Sequence, residues 1–144
     1  MDILFNYFRL SDAFFSVNAK RSNIDNETIQ SYKSYTPRMI LNNVIDMVSD
    51  LDVIRSNFGH PLIITSGYRC SKLNKLVGGV DDSKHQYGNA LDISLSYSAF
   101  KDKDWKEVQQ YYLDLIEVIK NTFPTMKVLD HINYFYSSYI HIQK

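Results

Sequence analysis

Cysteine is nearly absent. Cys70 stands alone among 144 residues, so the chain has no internal disulfide framework. A lone cysteine is compatible with a reducing compartment, and its common use is as a small buried side chain rather than a catalytic thiol. Net charge is absent as well: sixteen basic and sixteen acidic residues cancel at neutral pH. That argues against a general nucleic-acid binder, which carries a basic excess, and leaves a neutral polymer substrate open. No stretch approaches the roughly 20 apolar residues of a membrane-spanning helix. The N-terminus, MDILFNYFRLSD, has neither a basic leader nor a long apolar run, so a cytoplasmic product without a signal peptide is expected. Internal repeats, low-complexity tracts and a linker able to split the chain are missing too. One α+β domain over 1–144 is the simplest reading, with 1–35 as a lead-in and 36–144 as the core.

What is present is ordinary in bulk and specific in place. Apolar residues make up 44% and charged residues 22%, as in soluble globular domains. The 11 tyrosines suit strand faces and half-buried surface, and some suit a binding groove. Ser11 is a candidate cap for a short helix through Phe15, and residues 18–35 read as a polar loop with at most a turn of helix. Pro37 sits where a first helical turn accepts proline. Met39, Ile40, Val44, Ile45, Met47, Val48, Leu51 and Ile54 then recur at helical spacing, which predicts a helix over 37–57 ended by Gly59-His60-Pro61. Leu62 to Thr65 reads as a buried strand, Ser71 to Leu76 as a short helix closed by Gly78-Gly79, and Ala90 to Leu95 as a second strand. Asp104 is a candidate cap for a helix with Trp105, Val108, Tyr112, Leu115, Ile116 and Ile119 on one face. Met126 to Ile132 and Ser138 to Gln143 read as a terminal hairpin.

The chemistry concentrates in "DSKHQYGNALDIS", residues 82–94. One of only four histidines stands beside a glycine turn, seven residues ahead of an aspartate set in an apolar run. A buried aspartate needs compensating charge or hydrogen bonds, and a metal ion is one source. The last strand offers a further ligand: alternation puts Ile140 and Ile142 on one face and Tyr139, His141 and Gln143 on the other. If that strand runs beside Ala90–Leu95, then His85, Asp92 and His141 meet, and Gly88 lets the loop bend back to join them. Two imidazoles and one carboxylate leave a fourth tetrahedral position open, the pattern of a catalytic zinc site rather than a closed structural one, although such ligands suit several divalent ions. On spacing alone, a satisfied loop histidine, a strand-edge aspartate and an unrelated strand histidine explain the same residues.

Ser83-x-His85-x-x-Gly88-x-Ala90-x-Asp92 resembles the signature of the zinc D-Ala-D-Ala carboxypeptidases and their endopeptidase relatives, which include phage endolysins and share the Hedgehog/DD-peptidase fold. "ITSGYR" (64–69), "LNKLVGGVDDSKH" (73–85), "YIHI" (139–142) and the lead-in "FRLSDAFFSVNAKRSNIDN" (8–26) resemble the same family in the same order, its small phage-like branch above all. The resemblance implies a small antiparallel sheet with helices packed on it, and a Zn2+ ion held by His85, Asp92 and His141. It implies that Arg69 faces substrate and steadies an oxyanion or a peptide carboxylate, and that Ser83 lies near the site, contacting either substrate or its own loop. It also implies a peptidoglycan stem peptide or cross-link as substrate and, for a phage product, a holin or other release factor; with the balanced charge, no nucleic acid is expected as a partner.

One position departs from the family. Many members carry an acid three residues before the last histidine as general base, and here that residue is Ser138. Asp130, on the preceding strand, is the first candidate in its place. His131 is the second, imidazole being the side chain that exchanges protons near neutral pH. The departure keeps alive a metal-holding module that binds peptidoglycan without cutting it. A structural virion component is a weaker third reading.

Overall fold

Pro37 opens the longest element of the computed structural model, which describes residues 2–134 and 137–144. Helix α2 runs Pro37–Phe58, with the Thr36 side chain accepting from Met39 N–H and Gly59 closing it at φ 80°. These are the devices the sequence offers: a hydroxyl for an orphan N–H, a proline where no N–H is needed, and a glycine for the left-handed exit. Before it lie a 3-10 turn, Leu10–Ala13, and the short helix α1, Val17–Arg21. Strand β1 (Leu62–Ser66), helix α3 (Ser71–Leu76), a 3-10 turn at Lys84–Tyr87 and strand β2 (Ala90–Leu95) follow. Then come α4 (Tyr97–Phe100), α5 (Trp105–Thr122, capped by Asp104), β3 (Lys127–His131) and β4 (Tyr139–Gln143).

The strands form one antiparallel sheet in the order β1-β2-β4-β3. The fold is therefore α+β. Leu91, Ile93, Ile140 and Ile142 are buried on one face of the sheet. They share a single apolar cluster with Ile40, Val44, Met47, Leu51 and Ile54 of α2 and with Val108, Leu115 and Ile119 of α5. Each such side chain contributes about 1.5–3 kcal/mol when fully buried, so the cluster fixes which way every strand faces. Register follows, because a slip of one residue would turn the isoleucines out to water. All of β2 is buried, the polar Asp92 and Ser94 included.

The helices and strands read from periodicity stand within a residue or two of the observed ones. The lead-in differs. Ser11 does not cap a helix there: it sits inside the 3-10 turn and its hydroxyl donates to Asp2. Nor is 18–35 simply polar loop. Val17–Arg21 is helical, and Tyr32 and Tyr35 pair through mutual backbone hydrogen bonds. Phe8, Leu10, Ala13, Phe14 and Ala19 all enter the core. Helix α4 was not legible, being four residues with no apolar period of its own. No described helix is long and apolar enough to cross a membrane.

Candidate metal centre

The buried isoleucines leave Asp92 and His141 no choice of face. They are directly paired across β2 and β4, so the side chains that do not enter the core must meet on the opposite side of the sheet. His141 Nδ1 lies 2.7 Å from Asp92 Oδ1. His85 reaches the same oxygen from the 3-10 turn, with Nε2 at 3.3 Å. One ligand atom from each of His85, Asp92 and His141 falls within 4.8 Å of the others. Donors about 2.0–2.1 Å from a single tetrahedral zinc ion are separated from one another by about 3.3 Å, so this donor set fits the metal with small adjustment. His85 and Asp92 are buried.

Local sequence explains why His85 points there. Ser83 caps the turn, its hydroxyl accepting from His85 N–H at 3.3 Å, and Gly88 leaves the turn at φ 77°. A side chain at 88 would strike the Ile40 carbonyl at 2.7 Å, so only glycine lets the turn lie against α2. The ring is oriented by Gly67, whose carbonyl accepts from His85 Nδ1 at 2.7 Å. That bond puts the proton on Nδ1 and leaves the Nε2 lone pair for a ligand role. Gly67 is itself held by close approach: a Cβ there would lie 2.1 Å from the Ala13 carbonyl. The turn is clamped from outside by aromatic rings. Tyr87 packs edge-on against Tyr32 and Tyr35 at 5.0 and 4.9 Å, and the Tyr32 hydroxyl donates to the Asp81 carbonyl. These tyrosines went unread as a clamp, because nothing in their spacing ties 32–35 to 87.

Arg69 closes the site on the β1 side. Its guanidinium donates to Ser66 Oγ at 3.0 Å, to Asn74 Oδ1 at 3.3 Å and to Asp92 Oδ2 at 3.4 Å. Asp92 thus offers one oxygen to the two imidazoles and the other to a cation. Burial pushes its carboxyl up, but the hydrogen bonds and charge of His141 and His85 outweigh burial and hold it well below the usual carboxylate range. Burial likewise works to lower His141, yet its bonds to Asp92 and Gln143 and the charge of Asp92 raise it, against the opposing charge of Arg69. Burial lowers the Arg69 guanidinium, with Asp92 and Tyr139 pulling the other way.

The remaining sequence candidates divide. Ser83 is buried and spent on capping the turn. His131 pairs with Tyr139 across β3 and β4 and stacks on its ring at 4.4 Å, which puts it on the same sheet face as His141. Asp130 is not brought to the cluster. It pairs with Ile140, whose side chain enters the core, so Asp130 lies on the other face, at the exposed sheet edge, where its carboxylate accepts from Ile132 N–H. A period of two separates the neighbours. Ser138 is buried, donating to the Tyr134 carbonyl and accepting from Asn133 N–H. A cleft of about 130 Å3 lies between Phe15 and Ser16 of the lead-in and Ser66, Gly67 and Arg69, lined by Arg69 but by none of the three ligand candidates. A larger hollow of about 450 Å3, by Phe14, Lys20 and Glu27, contains none of the cluster residues. Its size does not outweigh the convergence of ligand atoms elsewhere.

His85, Asp92 and His141, beside an arginine, form a group that could hold a metal ion, and three such ligands are the number a catalytic zinc site uses. Comparison of the whole chain agrees. The model of the Peptidase M15 family matches residues 6–143, and the chain belongs to that family, the zinc D-Ala-D-Ala carboxypeptidase group of metallopeptidases. A search of curated proteins and of solved structures finds no match.

Proposed function

We propose that this chain hydrolyses a D-amino-acid-containing peptide bond in bacterial peptidoglycan, in a stem peptide or a cross-link, with His85, Asp92 and His141 holding a zinc ion. The observation that carries the reading is the convergence of those three ligand atoms within 4.8 Å, with the Arg69 guanidinium 3.4 Å from the same carboxylate. A zinc ion bound there supplies Lewis acidity toward a peptide carbonyl and lowers the pKa of water. The protein's own part is orientation and charge. Gly67 fixes the His85 ring. Asp92 balances the local positive charge. Arg69, held by Ser66 and Asn74, presents a planar cation to the oxygen on which negative charge grows, or to a peptide carboxylate.

The proton of the attacking water must reach the leaving amine. Of the two candidates from the sequence, His131 shares the sheet face of His141 and Asp130 does not. The reading therefore assigns the transfer to His131, with Tyr139 stacked beneath it. The likeness of the lead-in to the phage-like branch supports a phage product, acting in lysis or in penetration of the host wall. Such a product made in the cytoplasm would reach the wall through a holin or another release factor.

A second reading has one observation in its favour. The family's acid position is Ser138, whose hydroxyl is fully engaged with Tyr134 and Asn133. A metal-holding module that binds peptidoglycan without cleaving it fits that fact. Zinc content and turbidity loss of a peptidoglycan suspension, measured for the wild type and for His141→Ala, separate the two. One zinc per chain with clearing, both lost in the variant, is the result expected. Zinc without clearing on any wall chemotype would favour the binding module. His131→Ala and Asp130→Ala in the same assay address the proton carrier, and full activity in the His131 variant would remove it from that role.

A further inference from the structure

Gln143 is the next outward-facing residue after His141 on β4, and its side chain is spent on the histidine ring. Alternation puts 139, 141 and 143 on one face of the strand. The Gln143 carboxamide oxygen lies 2.8 Å from His141 Nε2. On the other side of the ring, Nδ1 lies 2.7 Å from Asp92 Oδ1. Both ring nitrogens therefore face oxygen, but only the Asp92 oxygen is also shared with His85. An ion seated among these residues would draw its His141 electron pair from the nitrogen on the Asp92 side. The other nitrogen then carries the proton, and the carboxamide oxygen set against it is placed to accept that proton in a hydrogen bond.

We propose that Gln143 is the positioning residue for His141, holding the tautomer that carries its proton on Nε2 and leaves Nδ1 free for the metal. The inference rests on the metal-centre reading above. The two histidines then coordinate through different nitrogens, His85 through Nε2 and His141 through Nδ1, and each is fixed by a carbonyl oxygen behind it. For His85 that oxygen is the backbone of Gly67. For His141 it is a side chain, and so it is open to substitution. Partners of this kind set ring orientation and ligand basicity, and their loss costs about 10–100-fold in metal affinity. The backbone of Gln143 pairs with Ala90 and Lys127, so the strand ladder does not depend on which side chain stands there.

The test is zinc affinity of the full chain, by competition with a chromophoric chelator, for the wild type, Gln143→Leu and Gln143→Glu. It is joined by nitrogen-15 spectra of the histidine rings in the zinc-loaded wild type. Gln143→Leu is expected to bind zinc about 10–100-fold more weakly, and Gln143→Glu, which keeps an acceptor, to bind at least as tightly as the wild type. The spectra should show His141 protonated on Nε2 and metal-bound through Nδ1. Wild-type affinity in Gln143→Leu, or zinc on Nε2 of His141, would overturn the assignment while leaving the metal centre standing. A wild type that binds no zinc would overturn both.

Discussion

Asp92 gives one carboxylate oxygen to two imidazoles and the other to a guanidinium. This sharing has a consequence in pH. The Asp92 carboxyl is held down relative to its ordinary value of 3.8, so its contribution to stability is present above that value and is lost as pH falls through the depressed one. The His141 imidazole is raised above 6.5, so its contribution is present below 6.5 and is lost as pH rises through the raised value. The metal-free protein should therefore gain most from this pair between 3.8 and 6.5. Zinc should show the opposite trend on the alkaline side, since it must displace the His141 proton. Thermal melts across pH, with chelator and with zinc, check both signs: the zinc-induced rise in Tm should grow as pH climbs past 6.5. Arg69 supports a second expectation at this scale. Lysine keeps the charge but cannot donate to Ser66, Asn74 and Asp92 from one planar group. Arg69→Lys should retain its zinc and lose activity on peptidoglycan by on the order of 100-fold, read as metal content beside initial clearing rates.

At the scale of elements, the site depends on segments that carry none of its ligands. The lead-in reaches β1 through Tyr68 N–H, which donates to the Ala13 carbonyl at 2.8 Å, and the Gly67 carbonyl then turns to His85. Asn26 ties the same region together. Its buried side chain donates to the Phe14 and Tyr68 carbonyls and accepts from Cys70 N–H. Asn26→Ala would leave those backbone groups without partners, at a cost of about 1–3 kcal/mol for each one kept from water. The expected result is a clear fall in the urea midpoint with little change in its slope, together with weaker zinc binding, because Gly67 and Arg69 flank Tyr68. Unchanged stability would mean that water replaces the amide freely. The Tyr32–Tyr87–Tyr35 clamp belongs to the same scale, holding the histidine turn from outside while Ser83 and Gly88 shape it from within.

At the scale of the whole molecule, the sheet separates two jobs. One face is sealed by α2 and α5 and supplies stability. The other presents Asp92, His141 and Tyr139, with Arg69 and the lead-in cleft at one side and His131 at the other. Metal binding to the folded chain alone should raise its stability in proportion to the logarithm of metal concentration. Chelation should therefore lower Tm and stop wall clearing together, and added zinc should restore both. Restored Tm without restored clearing is the outcome expected of the binding module.

Much of this was legible from local pattern. Helical spacing from Met39 to Ile54, the β-branched run at 62–65 and the alternation at 139–143 each report a period that burial imposes on a single segment. Ser83, His85, Gly88 and Asp92 lie close enough in sequence for one turn and one strand to specify their geometry. So the ligand candidates, the α+β class and the family resemblance could be read from the chain itself. What the sequence could not decide is which side chains meet across distance. The convergence of Asp92 with His141 depends on β2 pairing with β4 in one register. The separation of Asp130 from His131 depends on that same register carried into β3. The clamp joins residues more than fifty apart along the chain, Tyr32 and Tyr87 among them. Those choices are made by the apolar core, which selects the strand order and faces that bury Leu91, Ile93, Ile140 and Ile142 at once. That is a property of all the segments packed together and of no one of them alone.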